Sequence, residues 1–368
     1  MKIAMFGHKR IPSREGGIEI VVEELATRMV ELGHDVTCYN RRGHHVSGRE
    51  FDTQVGDTYK GVHLNNVFTI DKRGLAAMTS SFSAAWKTAW GDYDVVHIHA
   101  EGPAAMCFLP KMLGKRVVVT IHGLDWARSK WGWFSGKYIK RGEKQAVKYA
   151  DKIIVLSKST QEYFREIYGR ETVYIPNGIN KPIVRKADLI SKRWGLDKDS
   201  FVLFVGRIVP EKGLKYLIEA WKGINTDKKL VITGGSSDTD AYLEELKKDC
   251  PDNVLFTGFQ QGIVLEELYS NSYVYVLPSD LEGMPLSLLE AMSYGNCCVV
   301  SDISENKSVV GEYALTFQKS NAYDLREMLQ NLLYDANLVS EYRESTSDYV
   351  CEKYKWDSVV ERTLEIYQ

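Results

Sequence analysis

Residues 282–290 read Glu282-Gly283-Met284-Pro285-Leu286-Ser287-Leu288-Leu289-Glu290, two carboxylates eight positions apart around a glycine and a proline. The glycine and proline announce a helix start, with Pro285 expected at the first helical position, where no N–H is needed and φ is already set. The backbone N–H groups behind it have no partner inside the helix, and the macrodipole adds positive character at that end. Gly283, Met284, Pro285, Leu286 and Ser287 therefore frame a place where an anion, a phosphate above all, is stabilised. Glu282 is expected in the loop beside that anion and Glu290 on the helix. One acid beside a phosphate can address sugar hydroxyls, and one further along can address a ribose. The stretch suits a sugar carried on a nucleotide.

Upstream, the apolar run 201–205 leads into Gly206-Arg207 and then Lys212-Gly213, after which Leu214, Leu217, Ile218 and Trp221 recur at helical spacing. The order is strand, glycine turn, helix. Arg207 and Lys212 flank the turn and both can reach a pyrophosphate, Arg207 as a planar fork and Lys212 as a mobile point charge. Alone, two cations at a loop are more often simply solvated; the paired acids in the same half of the chain reverse that preference. Gly234, after the run 230–233, marks a turn near the nucleotide.

The same alternation of apolar runs and helical patterns extends over the whole chain. Runs at 3–6, 36–39, 95–98, 117–121 and 153–156 are followed by 201–205, 230–233, 254–257, 274–277 and 298–301. This argues for an α/β protein of two doubly wound, Rossmann-like domains, each a parallel sheet covered by helices on both faces. The first domain is expected over 1–180 and the second over 190–350, with a linker near 178–195 around the polar stretch 180–188. Ligands of such sheets bind outside the strand carboxyl ends, so two sheets facing each other make a cleft.

With these residues in place the chain resembles a GT-B glycosyltransferase of the retaining family 4, the group marked by E-x7-E. The resemblance rests on Gly16-Gly17, Thr120-Ile121-His122-Gly123, Pro176-Asn177-Gly178, Gly206-Arg207 with Lys212-Gly213, and Glu282 to Glu290, and covers almost the whole length. It implies that Arg207 and Lys212 bind the donor diphosphate, Glu282 the donor sugar and Glu290 the ribose, with His122 over the sugar. It implies too that Gly16 and Gly17 let the backbone approach donor phosphate and acceptor. Phe259, in Gly258-Phe259-Gln260, would help hold the base, and a last helix at about 350–368 would return to the first domain. The opening residues 8–17 are similar to enzymes of bacterial capsule and exopolysaccharide clusters, some of which transfer rhamnose. The expected reaction moves a hexosyl or deoxyhexosyl group from a UDP- or dTDP-sugar to a hydroxyl of a saccharide or lipid-linked saccharide, with no other cofactor. Two rivals stay open: an epimerase or phosphorylase of the same frame, and a sugar-nucleotide-binding protein without turnover.

Composition excludes other classes. A charged share of 26% and an apolar share of 44% are ordinary for a soluble globular protein, and no run of eighteen apolar residues exists. Six cysteines show neither metal nor disulfide spacing, and residues 1–7 run straight into a strand pattern without a secretory profile. The expectation is a cytoplasmic protein, peripheral at the inner face of a membrane. Residues 1–180 carry 26 Lys and Arg against 19 Asp and Glu, a net of +7, while the remainder holds 21 against 30. A basic first half suits an anionic surface. Trp126, Trp131, Trp133, Phe134 and Tyr138 sit among seven cations and the single acid Glu143 over 126–148, a composition that fits a membrane interface or a loop packed on its own domain about equally.

All eight histidines lie within the first 122 residues. His97 and His99 share a strand face and would suit two zinc ligands, but no third ligand emerges, so no metal is expected. Asp92-Tyr93-Asp94, Asp197-Lys198-Asp199 and Asp238-Thr239-Asp240 imitate a D-x-D metal motif yet read as turn acids. No G-x-G-x-x-G follows the first strand, which counts against a nicotinamide dehydrogenase. Nothing points to nucleic acid.

Overall fold

A computed structural model describes residues 1–53, 55–72, 74–124, 126, 133–236, 239–248 and 250–368, the side chains of 133–135 excepted. The chain forms two compact units. One comprises Met1–Gly178 with Trp356–Gln368, the other Ile179–Lys355.

The strands of the first unit are β1 (Lys2–Phe6), β2 (Asp35–Arg41), β3 (Thr58–Tyr59), β4 (Val62–Val67), β5 (Val95–His99), β6 (Arg116–Ile121), β7 (Lys152–Val155) and β8 (Val173–Tyr174). Among the described residues they make one sheet in the order β3-β4-β2-β1-β5-β6-β7-β8. Every pairing is parallel except β3 with β4. The central strands read as continuous apolar runs because helices cover both faces, and Phe6, Val96, Ile98, Val119, Ile121 and Phe164 share one buried cluster. The helix Gly17–Glu31 buries Val21, Val22, Leu25, Ala26 and Met29 at helical spacing. Against it packs the final helix, Trp356–Tyr367. That helix is tied by the Arg28–Asp357 ion pair (2.5 Å) and by Arg116, which donates to the Ile366 carbonyl (2.8 Å).

The second unit holds β9 (Phe201–Val205), β10 (Lys229–Thr233), β11 (Val254–Gly258), β12 (Val274–Leu277), β13 (Cys298–Ser301) and β14 (Leu315–Phe317), all parallel, in the order β11-β10-β9-β12-β13-β14. Sequence patterning missed β3, β4, β8 and β14. β3, β8 and β14 are short edge strands, and β4, which lies between β3 and β2, reads Val-His-Leu-Asn-Asn-Val and lacks a continuous apolar run.

The expected linker is not a free tether. Residues 180–188 run along the second unit, where Arg185 pairs with Glu266 and its N–H donates to the Ser270 hydroxyl (3.0 Å). Leu189–Trp194 then forms a helix whose open N-terminal donors are met by one carboxylate. Glu267 accepts from the N–H groups of Asp188 (3.1 Å) and Ile190 (3.0 Å). Polarity marked this stretch as exposed in the sequence; two acids on a neighbouring helix anchor it.

Candidate functional site

In the second unit the strand order reverses between β10 and β12, on either side of β9, the position at which open α/β sheets present their ligand crevice. Gly206 and Arg207 leave the carboxyl end of β9, and the turn Pro210–Lys212 follows. Gly213 then adopts φ +68°, and a Cβ on it would lie 1.9 Å from the Pro278 carbonyl oxygen. Only glycine lets the Lys212 turn lie directly on the exit of β12. That contact brings Lys212 to Glu282, whose Oε1 accepts from Nζ at 2.5 Å, with the two side chains 12% and 9% exposed. A charge-assisted hydrogen bond in so dry a setting holds both heads in register.

A second close approach joins the neighbouring loops. Gly234 has φ +149°, and a Cβ there would fall 1.7 Å from the Gly206 carbonyl oxygen. Its N–H donates to the Gly258 carbonyl (2.9 Å), and half-buried Phe259 comes next. The exits of β9, β10 and β11 thus form one rim.

The helix after Glu282 runs Leu286–Ser293, so Pro285 is its N-cap and not its first helical residue. With ψ at 107°, Pro285 stays extended, and its carbonyl accepts from the N–H groups of Leu288 (3.2 Å) and Leu289 (3.3 Å). The amides of Leu286 and Ser287 are left as the opening donors of the helix. Gly283, Met284, Pro285 and Leu286 are buried, and the Ser287 hydroxyl accepts from the Tyr275 hydroxyl (3.0 Å). Glu290 lies on the helix, and its Oε2 accepts from the Tyr269 hydroxyl (2.9 Å). Burial, reinforced by the Glu290 charge, pushes the Tyr269 phenol well above its usual range, so it stays a donor. Its ring stacks on Tyr294 at 5.4 Å. Tyr269 and Tyr275 escaped sequence reasoning because an aromatic on an apolar helix or strand reads as core.

In the first unit the loop after β1 is held by buried polar groups. Asn40 accepts from the Ile11 N–H (3.1 Å), donates to the Ile11 carbonyl (3.1 Å), and lies 3.0 Å from His8 Nε2. Glu15 accepts from the Val46 N–H (2.9 Å) and faces Arg10 (3.4 Å) and Lys9 (3.6 Å). Gly16 is the N-cap of Gly17–Glu31 with φ −169°, extended backbone that any residue adopts. The demand for glycine there is not conformational.

His122 directly follows β6, and its Nε2 lies 3.1 Å from His99 Nδ1. His99 in turn stacks on His97 (4.1 Å), whose ring nitrogens meet the Tyr367 hydroxyl (2.6 Å) and the Thr120 hydroxyl (2.7 Å). Burial drives the basicity of this column down: His97 to about 3, His8 to about 4, and His99 far below normal. His97 and His99 are thus neutral imidazoles on β5, linked to Thr120 and His122, while His8 is held apart against Asn40. Both nitrogens of His97 are engaged by hydroxyls, and among the described residues no three His, Cys, Asp or Glu side chains gather as a metal site would require.

The acidic turns have structural partners. Asp92 pairs with Lys2 (2.5 Å), Asp94 accepts from the Lys2 N–H (2.7 Å), and Asp199 pairs with Arg343 (2.6 Å); Asp238 lies outside the described residues. In the aromatic segment, Trp126 turns inward and donates to Glu143 (3.1 Å), with Lys140 3.9 Å above its ring, while Tyr163 donates to the other Glu143 oxygen (3.0 Å). Tyr138 is half-buried. These two aromatics pack on their own unit; Trp131 and the side chains of Trp133 and Phe134 lie outside the described residues.

Two family models match the chain, "Glycosyltransferase Family 4" over residues 15–181 and "Glycosyl transferases group 1" over 187–350. An uncharacterised glycosyltransferase of Methanocaldococcus jannaschii is 27% identical over all of this chain and 98% of its own length. The UDP-Gal:alpha-D-GlcNAc-diphosphoundecaprenol alpha-1,3-galactosyltransferase of Escherichia coli is 33% identical over 59% of this chain and 60% of its own. Among solved structures, sucrose-phosphate synthase from Thermosynechococcus elongatus superposes with a TM-score of 0.81 at 19% identity, covering all of this chain and 98% of that one.

Proposed function

The chain is a glycosyltransferase of the GT-B fold and of the group 1/family 4 kind, and we propose that it moves a hexosyl or deoxyhexosyl group from a UDP- or dTDP-sugar to a hydroxyl of a lipid-linked saccharide, with retention of configuration and without a metal. The observation that carries the reading is the Lys212–Glu282 pair at the strand-switch rim, with Arg207 just after β9 and Glu282 just before the opening amides of Leu286–Ser293, the helix that bears Glu290. The name of the Escherichia coli relative, a UDP-galactose enzyme acting on a diphosphoundecaprenol acceptor, supports the donor and acceptor classes.

The diphosphate competes with Glu282 for Lys212 and takes charge compensation from Arg207 and the amides of Leu286 and Ser287. Glu282, relieved of its partner, accepts from sugar hydroxyls; Glu290, fixed by Tyr269, accepts from the ribose. As the glycosidic bond to the diphosphate breaks, the growing negative charge meets fixed positive groups, which is where electrostatic catalysis acts. Glu282 binds and orients. Attack comes from the side of the leaving group: the acceptor hydroxyl oxygen bonds to the anomeric carbon as the bond to the diphosphate oxygen breaks, and the hydroxyl proton passes to that departing oxygen. The first unit takes the acceptor, and His122 supplies a polar contact to the sugar.

Thermal-shift screening against UDP-, dTDP-, GDP- and ADP-sugars identifies the donor, and proton NMR of the product reads the anomeric configuration. Arg207→Ala and Lys212→Ala are expected to lower turnover by about a hundredfold or more. Full activity in both variants removes the assignment, and an inverted product removes retention.

A further inference from the structure

The helix Leu75–Trp90 is built inside out. It buries the small side chains Ser80, Ser81, Ala84, Ala85, Thr88 and Ala89, and turns Leu75, Met78, Phe82, Trp86 and Trp90 to solvent, Trp90 being 68% exposed. Phe82, Trp86 and Trp90 recur every fourth residue and line up ring to ring, at 6.4 and 6.1 Å. The neighbouring helix Phe108–Met112 extends the patch with exposed Met112 and Leu113. Single exposed apolar residues need no explanation; a contiguous aromatic stripe does.

Charge selects the occupant. Residues 68–90 and 108–116, which carry the patch, hold Lys72, Arg73, Lys87, Lys111, Lys115 and Arg116 against the one acid Asp71. Lys111 is engaged by Asp151, and Arg116 by a backbone carbonyl; the balance of the rest stays positive. A second copy docked on this face about a twofold axis would set the positive band against itself, whereas an anionic lipid surface opposes it with the opposite sign. Indoles beside cationic side chains are the side-chain chemistry of the membrane–water boundary.

We propose that Leu75–Trp90 lies in the plane of an anionic bilayer, with Phe82, Trp86 and Trp90 sunk among the acyl chains and Lys72, Lys87 and Lys115 at the headgroups. The helix, about 24 Å long, presents its stripe along its whole length. The inference rests on the proposed transferase reading only for its purpose, bringing the first unit to an acceptor anchored in lipid.

The test is co-sedimentation of the whole chain, without donor or acceptor, with vesicles of phosphatidylcholine alone and with added phosphatidylglycerol. Binding is expected on the anionic vesicles, and the variant Phe82→Ser/Trp86→Ser/Trp90→Ser is expected to lose it by more than about tenfold with its melting temperature kept. A separate readout leaves the patch apolar: brominated lipid quenches wild-type tryptophan fluorescence, and Trp86→Phe/Trp90→Phe reduces the quenching. Absence of wild-type binding, equal binding to both vesicles, or unchanged binding by the triple variant overturns the proposal. So does a wild-type dimer that the triple variant splits, which would make the face a contact between copies. Donor turnover, assayed separately in solution, fails or holds independently of every one of these outcomes.

Discussion

Lys212→Ala, Glu282→Ala and the double variant separate what the ion pair does for the fold from what each group does for a donor. At 2.5 Å, with an effective dielectric of about 20, the two charges attract by about 6–7 kcal/mol before solvation is counted. With side chains only 12% and 9% exposed, both ions have lost most of their water, which costs several kcal/mol each and leaves a net coupling of about 1–3 kcal/mol. Either single variant strands a largely enclosed charge and should lose about 2–3 kcal/mol of stability. The double variant should lose little more than one single variant. Melting temperature reads this: about 2–4 °C is expected per kcal/mol in a unit of this size, so a single variant falls by roughly 5–10 °C and the double variant stays close to it. Activity behaves oppositely. Release of nucleotide from the donor should fall by about a hundredfold in each single variant, with no recovery when both are combined, because the diphosphate and the sugar each lose a partner. Stability losses that simply add would mean that the pair does not form in solution. A double variant with wild-type turnover would remove Lys212 and Glu282 from the site.

Tyr269→Phe keeps the stack on Tyr294 and deletes the donor to Glu290. Donor KM should rise by about tenfold with kcat and melting temperature nearly kept, and an unchanged KM would show that Glu290 needs no help from Tyr269. Acid should weaken the first unit. His8 and His97, held neutral down to about 4 and about 3, take up protons in the unfolded chain near pH 6.5 but not in the folded one. Their contribution is complete above about pH 6.5 and is lost as pH falls toward the folded values, at about 2 kcal/mol per histidine by about pH 5. Thermal melts between about pH 7.5 and 4.5 check it, and a profile flat through that range contradicts the buried neutral column.

The paired acids, the glycine turns and the alternation of apolar runs are local signals, and the fold class was readable from them. Strands 201–205, 274–277 and 298–301 begin and end where the apolar runs do, because a strand buried on both faces admits a polar residue only where a partner meets it, as at His97. Strands at or next to a sheet edge tolerate such residues, so β4 and β8 left no comparable trace. Pro285 shows the resolution of such signals: its place at the helix start was legible, but N-cap or first helical residue depends on one ψ angle.

Relations between residues distant along the chain had to wait for the fold. Nothing in the order of residues sets Tyr269 against Glu290, joins His97 to Tyr367 across 270 positions, or holds Leu189–Trp194 by Glu267. Composition drew attention to the aromatics of 126–148, yet Trp126 faces a buried carboxylate. The stripe on Leu75–Trp90 passes in sequence for an ordinary apolar helix face. Periodicity says that a helix has two faces, and only packing against the sheet decides which of them meets water.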